Sequence, residues 1–226
     1  MPTWLQLMLD SFWPLLRAGL LFTVPLTLIT FIGGISLGFV LALGRLYGPR
    51  PLVAVVRFYV WLIRGTPLLV QLFLIFYGLP SAGITLDAFT AAVIGFTLNV
   101  GAYSSEIIRA TLDAVPRGQW EAAHSIGMNW FQAMRRIVVP QAARIAVPPL
   151  SNTFIALVKD TSLAAAVTVP ELFQSAQRIA AATYEPLILY VETALIYLLF
   201  SSVLSALQNK LENRLNRDQG ARGGRE

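Results

Sequence analysis

Glu121 to Pro140 read EAAHSIGMNWFQAMRRIVVP, a stretch with charges, a glycine and a closing proline set between two strongly hydrophobic runs. It lies where a chain built for lipid needs only a short link. Residue by residue it predicts two short helices meeting at a sharp corner. Arg117 to Ser125 is helix-compatible after Pro116, Gly127 stands where a left-handed closing residue is wanted, and Asn129 can cap the next turn. The second helix is expected over about Trp130 to Val138, with Pro140 interrupting it before the next crossing. Trp120, Ile126, Trp130, Phe131, Met134 and Ile137 are interspersed with basic residues. That mixture suits a surface that inserts into another protein, or an interfacial hairpin that tethers two spans.

The surrounding composition is that of a membrane protein. Of 226 residues, 56% are hydrophobic and 13% charged, and the mean hydropathy is +0.64, whereas soluble domains carry roughly 25% charge. A spanning helix needs about 20 apolar residues to cross about 30 Å of hydrocarbon. Five crossings are predicted, over Leu16 to Leu43, Phe58 to Leu79, Leu86 to Ala110, Ile145 to Val167 and Pro186 to Leu207. The fold class is therefore an all-α polytopic membrane protein. Three parts are expected: an interfacial amino-terminal segment over 1–15, a transmembrane domain over 16–208 that holds the corner at 116–140, and a polar tail over 209–226, read as a frayed solvated end. The amino end lacks the basic start and early cleavage site of a signal peptide and is expected to be retained.

Basic loops stay in the cytoplasm. Arg45, Arg50 and Arg57 follow the first span, Arg109, Arg117, Arg135, Arg136 and Arg144 surround the corner, and Lys210, Arg214, Arg217, Arg222 and Arg225 lie in the tail. The loops Pro80 to Thr85 and Thr168 to Glu185 carry only Arg178. An odd number of spans with the amino end outside and the carboxyl end inside satisfies every loop, and it places the corner in the cytoplasm. Gly34, Gly38 and Ala42 recur every four residues in the first span, a spacing for close helix packing. Leu172, Phe173, Ala176, Ile179 and Ala180 predict an amphipathic helix on the outer face.

Several chemistries are excluded. With no cysteine and one histidine, His124, there is no disulfide framework and no metal site of the cysteine or histidine type. The net charge of +5 is spread over loops between apolar runs, which argues against nucleic acid. No G-x-x-x-x-G-K-[ST] is present, so any ATP must be handled by a partner.

Glu121, Ala122 and Ala123, then Gly127 after three residues, then Ile137 and Pro140, resemble the motif of permease subunits of bacterial ATP-binding-cassette importers. That motif reads EAA, three residues, G, nine residues, I, one residue, L, P, and Val139 replaces its leucine here. RGTPLLVQLFLIFYGLP (Arg64 to Pro80), GAYSSEIIRA (Gly101 to Ala110), VPRGQWEAAHSIG (Val115 to Gly127) and LVKDTSLAA (Leu157 to Ala165) resemble polar amino acid permeases of the histidine, glutamine and arginine type. The resemblance implies the type I importer fold and residence in the bacterial inner membrane. It makes the corner a pair of coupling helices that dock on a cytoplasmic ATPase dimer. Its implied partners are a second permease subunit, identical or related, a periplasmic substrate-binding protein, a polar amino acid and membrane lipid. No cofactor is expected on this chain; ATP and magnesium belong to the ATPase.

Polar groups within the spans mark candidate pathway residues. A charge at a helix centre costs about 2.5 to 3.5 kcal/mol, so Lys159 and Asp160 in the fourth span need protein or water around them. Asp160 is expected to face the pathway and attract the ammonium of an amino acid, with Lys159 and Ser162 near a local break. The alternative is that Lys159 snorkels and Asp160 caps the turn of Thr161 and Ser162. Asn99, Gln71 and Tyr103 are further pathway candidates, or else make ordinary interhelical hydrogen bonds. The competing readings are a self-sufficient channel or ion-driven carrier, and a membrane scaffold that transports nothing.

Overall fold

A computed structural model describes residues 3–223, with side chains described over 3–213. The side chains of Arg214, Arg217, Arg222 and Arg225, counted above toward the tail, lie outside the described residues. Taking continuous runs as one, the elements are α1 (Thr3–Tyr47), α2 (Arg50–Gly65), α3 (Leu68–Ala82), α4 (Ala88–Asp113), α5 (Arg117–Ser125), α6 (Trp130–Val167), α7 (Leu172–Thr183) and α8 (Pro186–Gly223). No strand occurs among the described residues. α1, α4 and α8 are each long and apolar enough to cross a membrane, and the bent pairs α2–α3 and α6–α7 raise the number to five. By length and composition the described residues thus hold three to five candidate spans, the five expected crossings being reached when each bent pair counts as one.

The breaks follow from local chemistry. α2 and α3 meet at 105°, because Pro67 pushes the residue before it out of the helical region: Thr66 sits at φ −119°, ψ 147°. The second crossing, expected as one helix over Phe58 to Leu79, is therefore two. α4 is capped by Asp87, whose carboxylate accepts from the Thr90 N–H at 3.0 Å; the Thr90 hydroxyl first, and then this N–H, hold the exposed carboxyl below its usual range.

Other prolines, by contrast, lie within continuous helices. Before Pro25, Pro80 and Pro140 the chain makes a wide turn, in which the preceding N–H reaches five residues back: Val24 to Gly19, Leu79 to Leu74 and Val139 to Met134. Widening moves the carbonyl that the proline ring would strike and keeps neighbouring groups bonded. Pro140 was expected to interrupt; instead α6 runs through it to Val167. The described residues of the amino-terminal segment continue into α1 without a break; Ser11 and Leu15 are buried, and Leu15 clusters with Leu172 and Ala176 of α7 and Ile196 of α8. At its other end α8 stays helical to Gly223, beyond the expected limit at Leu207.

The tightest seam joins α1 to α4. A side-chain carbon on Gly38 would come within 2.8 Å of Ser104 Cβ and 2.9 Å of the Ser105 nitrogen, and one on Gly34 would strike Val100. Gly101 of α4 answers with Leu37 packed against it. The every-fourth-residue spacing thus serves close approach. At one end of the bundle, called the basic end here, Arg45 pairs with Glu106, which also pairs with Arg109 at 3.1 Å. Gly38→Ala is expected to lower stability by about 1–3 kcal/mol, the usual range for overpacking. Gly44→Ala, where the nearest atom is 3.6 Å away, should be tolerated. Thermal unfolding of the purified protein in detergent checks both.

Candidate functional site

Two regions gather the residues singled out in the sequence. The first is the corner at the basic end. α5 closes through two backbone bonds, Gly127 N–H to His124 O at 2.9 Å and Met128 N–H to Ala123 O at 3.1 Å. This closure requires the left-handed conformation that Gly127 adopts at φ +79°. α6 then starts from a reciprocal cap, in which Asn129 accepts from the Gln132 N–H at 2.9 Å and the Gln132 side chain accepts from the Asn129 N–H at 3.0 Å. Both ends of the corner are therefore fixed by hydrogen bonds.

Packing then seats the corner on the bundle. Ala123 is buried, Ile137 is half-buried, and Glu121, Ala122, Gly127 and Pro140 are exposed. Trp130 meets Tyr47 of α1 edge-on at 4.9 Å between ring centroids and stacks on Trp120 of α5 at 6.4 Å. Gln141 of α6 donates to Gln119 of α5 at 3.0 Å. Met134, Val138 and Ala142 cluster beneath with Ile108 and Leu112 of α4. Two large apolar side chains remain outside, Ile126 at 72% and Phe131 at 64% exposure. A hydrogen-bonded corner that leaves such groups uncovered is suited to docking.

The second region is a cavity of about 380 Å³ lined by Thr66, Asn99, Tyr103, Thr153 and Asp160 among apolar neighbours. It lies where the break between α2 and α3 meets α4 and α6. The structure thus brings three of the six pathway candidates together: Asn99, Tyr103 and Asp160. Asp160 occupies an N-cap position yet makes no side-chain cap bond, so its carboxylate is not used for the capping considered from sequence. Arg64 lies over the Tyr103 ring, 5.2 Å from its centroid.

The other three candidates fall elsewhere. Gln71 is buried behind the cavity and braces the break. It donates to Ile63 O at 2.7 Å and to Thr66 O and Oγ1 at 3.1 and 2.9 Å, and accepts from Asn99 at 3.2 Å. Lys159 is exposed and, like Ser162, does not line the cavity; the Ser162 hydroxyl donates back to Lys159 O at 2.7 Å. Thr66 and Thr153 were missed as lining residues. A signal existed for the latter, since Thr153, Ala156, Leu157 and Asp160 share one helical face by their spacing of three and four.

Residues 34–217 match the family described as binding-protein-dependent transport system inner membrane component, and the chain belongs to that family of permease subunits. The L-cystine transport system permease protein TcyB of Bacillus subtilis (strain 168) is 52% identical over 213 residues, covering 94% of this chain and 91% of the relative. The arginine transport system permease protein ArtQ of the same organism is 35% identical, covering 89% and 93%. Among solved structures, an amino acid ABC transporter with histidines matches at a TM-score of 0.85 and 37% identity, covering 91% and 96% of the two chains. The type I importer fold is therefore that of this chain, and the channel, carrier and scaffold alternatives have no support.

The brace at the break is directly testable. Gln71→Leu keeps the volume but strands the Thr66 and Ile63 carbonyls and Asn99, and each group left unsatisfied in the interior costs about 1–3 kcal/mol. Earlier protease cleavage at the Gly65–Thr66 junction and a lower Tm are expected.

Proposed function

We propose that the chain is the permease subunit of an ATP-driven importer of polar amino acids. It is set in the membrane with the basic end toward the cytoplasm and the amino end outside. Its partners are an ABC ATPase dimer, which holds ATP and magnesium, a second permease subunit, identical or related, and a substrate-binding protein on the far side. The observation that carries the reading is the corner, hydrogen-bonded at both ends and exposing Ile126 and Phe131. Glu121, Ala122, Ala123, Gly127, Ile137 and Pro140 form its docking frame. Ala123 anchors the frame inward, and the small Ala122 leaves room for a partner to approach.

On this reading, closure of the ATPases moves the corner and shifts the permease between arrangements that open the cavity to one side or the other. Nucleotide and loaded binding protein select between them by their different affinities. The substrates named in the relatives, cystine and arginine, share an α-ammonium group. Asp160 supplies the opposite charge, with the Asn99 amide and Tyr103 hydroxyl as polar neighbours.

Two substitutions test the assignments. Gly127→Val puts a β-branched side chain where φ is positive, and it is expected to abolish ATP-driven uptake, by uncoupling or by loss of the ATPase from the purified complex. Normal coupled uptake in that variant contradicts the role of the corner. Asp160→Asn removes a charge-assisted contact worth about 1.5–3 kcal/mol, so uptake of radiolabelled amino acid should fall about tenfold or more while the ATPase still co-purifies. Unchanged uptake would remove Asp160 from the pathway.

A further inference from the structure

α1 touches both ends of the machinery. At the basic end its last residue, Tyr47, packs against Trp130, which in turn stacks on Trp120, so one aromatic contact on α1 reaches both helices of the corner. Twenty-four residues along the helix, about 36 Å at 1.5 Å per residue, Thr23 is fully buried against the start of α7. Its hydroxyl oxygen accepts from the Leu172 N–H at 3.2 Å and lies 3.5 Å from the Glu171 carboxylate. Glu171, also fully buried, caps α7 through the Phe173 and Gln174 N–H groups at 2.9 and 2.7 Å and accepts from the Tyr197 hydroxyl of α8 at 2.8 Å.

Two routes connect the corner to α7, and their stiffness differs. α6 is covalently continuous with the corner, but it contains a wide turn at Met134–Val138, prolines at 148 and 149, and a tightened stretch at Thr161–Val167. It then reaches α7 through Thr168, held in the left-handed region at φ 66°. α1 is regular α-helix from Val24 to Tyr47, and its one wide turn, Gly19–Thr23, lies at the far contact itself. Irregular turns thus interrupt α6 between the corner and α7, and none interrupts α1 between Val24 and Tyr47.

We propose that α1 is the transmission rod of the permease, carrying movement of the corner to α7, with Tyr47 and Thr23 as its positioning residues at the two ends. The inference rests on the importer reading above. Neither residue contacts the cavity, and neither belongs to the docking frame.

The experiment measures uptake of radiolabelled L-cystine, L-arginine and L-glutamine by cells carrying the variant in place of the native copy, and ATP hydrolysis by the complex purified from the same cells. For Tyr47→Ala, the ATPase should be recovered with hydrolysis within about twofold of the native complex while uptake falls at least tenfold; Tyr47→Phe, which keeps the ring edge, should restore uptake. Thr23→Val, which keeps the shape but removes the hydrogen-bonding oxygen, should show the same split. The double variant should be no worse than the poorer single one, since both act on one path. Normal uptake by Tyr47→Ala overturns the inference alone. So does loss of the ATPase from that variant, which makes Tyr47 a docking or folding residue, and so do losses that multiply in the double variant. Absence of ATP-driven uptake of all three amino acids by the native chain removes the importer reading and this inference together.

Discussion

The close approach of α1 to α4 is the contact on which the remaining geometry depends. Lipid tails are as apolar as leucine, so helices in a bilayer gain little from hiding hydrophobic surface and are held instead by dense packing and hydrogen bonds. Gly34, Gly38 and Gly101 let the two backbones meet where any side-chain carbon would collide. With that seam set, Asn99 and Tyr103 on α4 line the cavity, Ser104 faces α1, and Val100 lies between, touching both. At the basic end the same pairing brings Arg45 to Glu106 and leaves Tyr47 against Trp130.

A second constraint is that backbone polar groups in hydrocarbon need partners. The chain meets it in two ways. Where a helix must continue, a wide turn ahead of Pro25, Pro80 or Pro140 accommodates the ring. Where it must break, a side chain takes over: Gln71 serves the carbonyls freed before Pro67. The break is what opens the cavity, so the residue that first suggested a place in the pathway is the one that holds its wall in position. Its side chain bonds to the break on one side and to the cavity-lining Asn99 on the other.

Much of this was legible in the sequence. The all-helical membrane fold followed from apolar run length, the seam from glycine spacing, and the corner from Gly127 and Asn129, because each depends on interactions within a few residues. What escaped depends on tertiary contact. Pro140 alone does not say whether the helix ends or widens. That Leu15 packs against α7 and α8 is likewise not written in its own neighbours. Neighbours in sequence also parted company: Asp160 lines the cavity and Lys159 does not, since adjacent residues on a helix point about 100° apart. Glu171, unremarked in the sequence, caps α7 from a fully buried site, and nothing local distinguishes it from an exposed loop acid.

The account makes this subunit a moving part driven from outside itself through a bent helical corner. The most direct measurement is reconstitution of the purified chain into vesicles, with and without an ABC ATPase, followed by radiolabelled amino acid inside the vesicles over time. The account predicts accumulation above the external concentration only when ATPase, ATP and binding protein are all supplied. Accumulation against a gradient by the chain alone would contradict it.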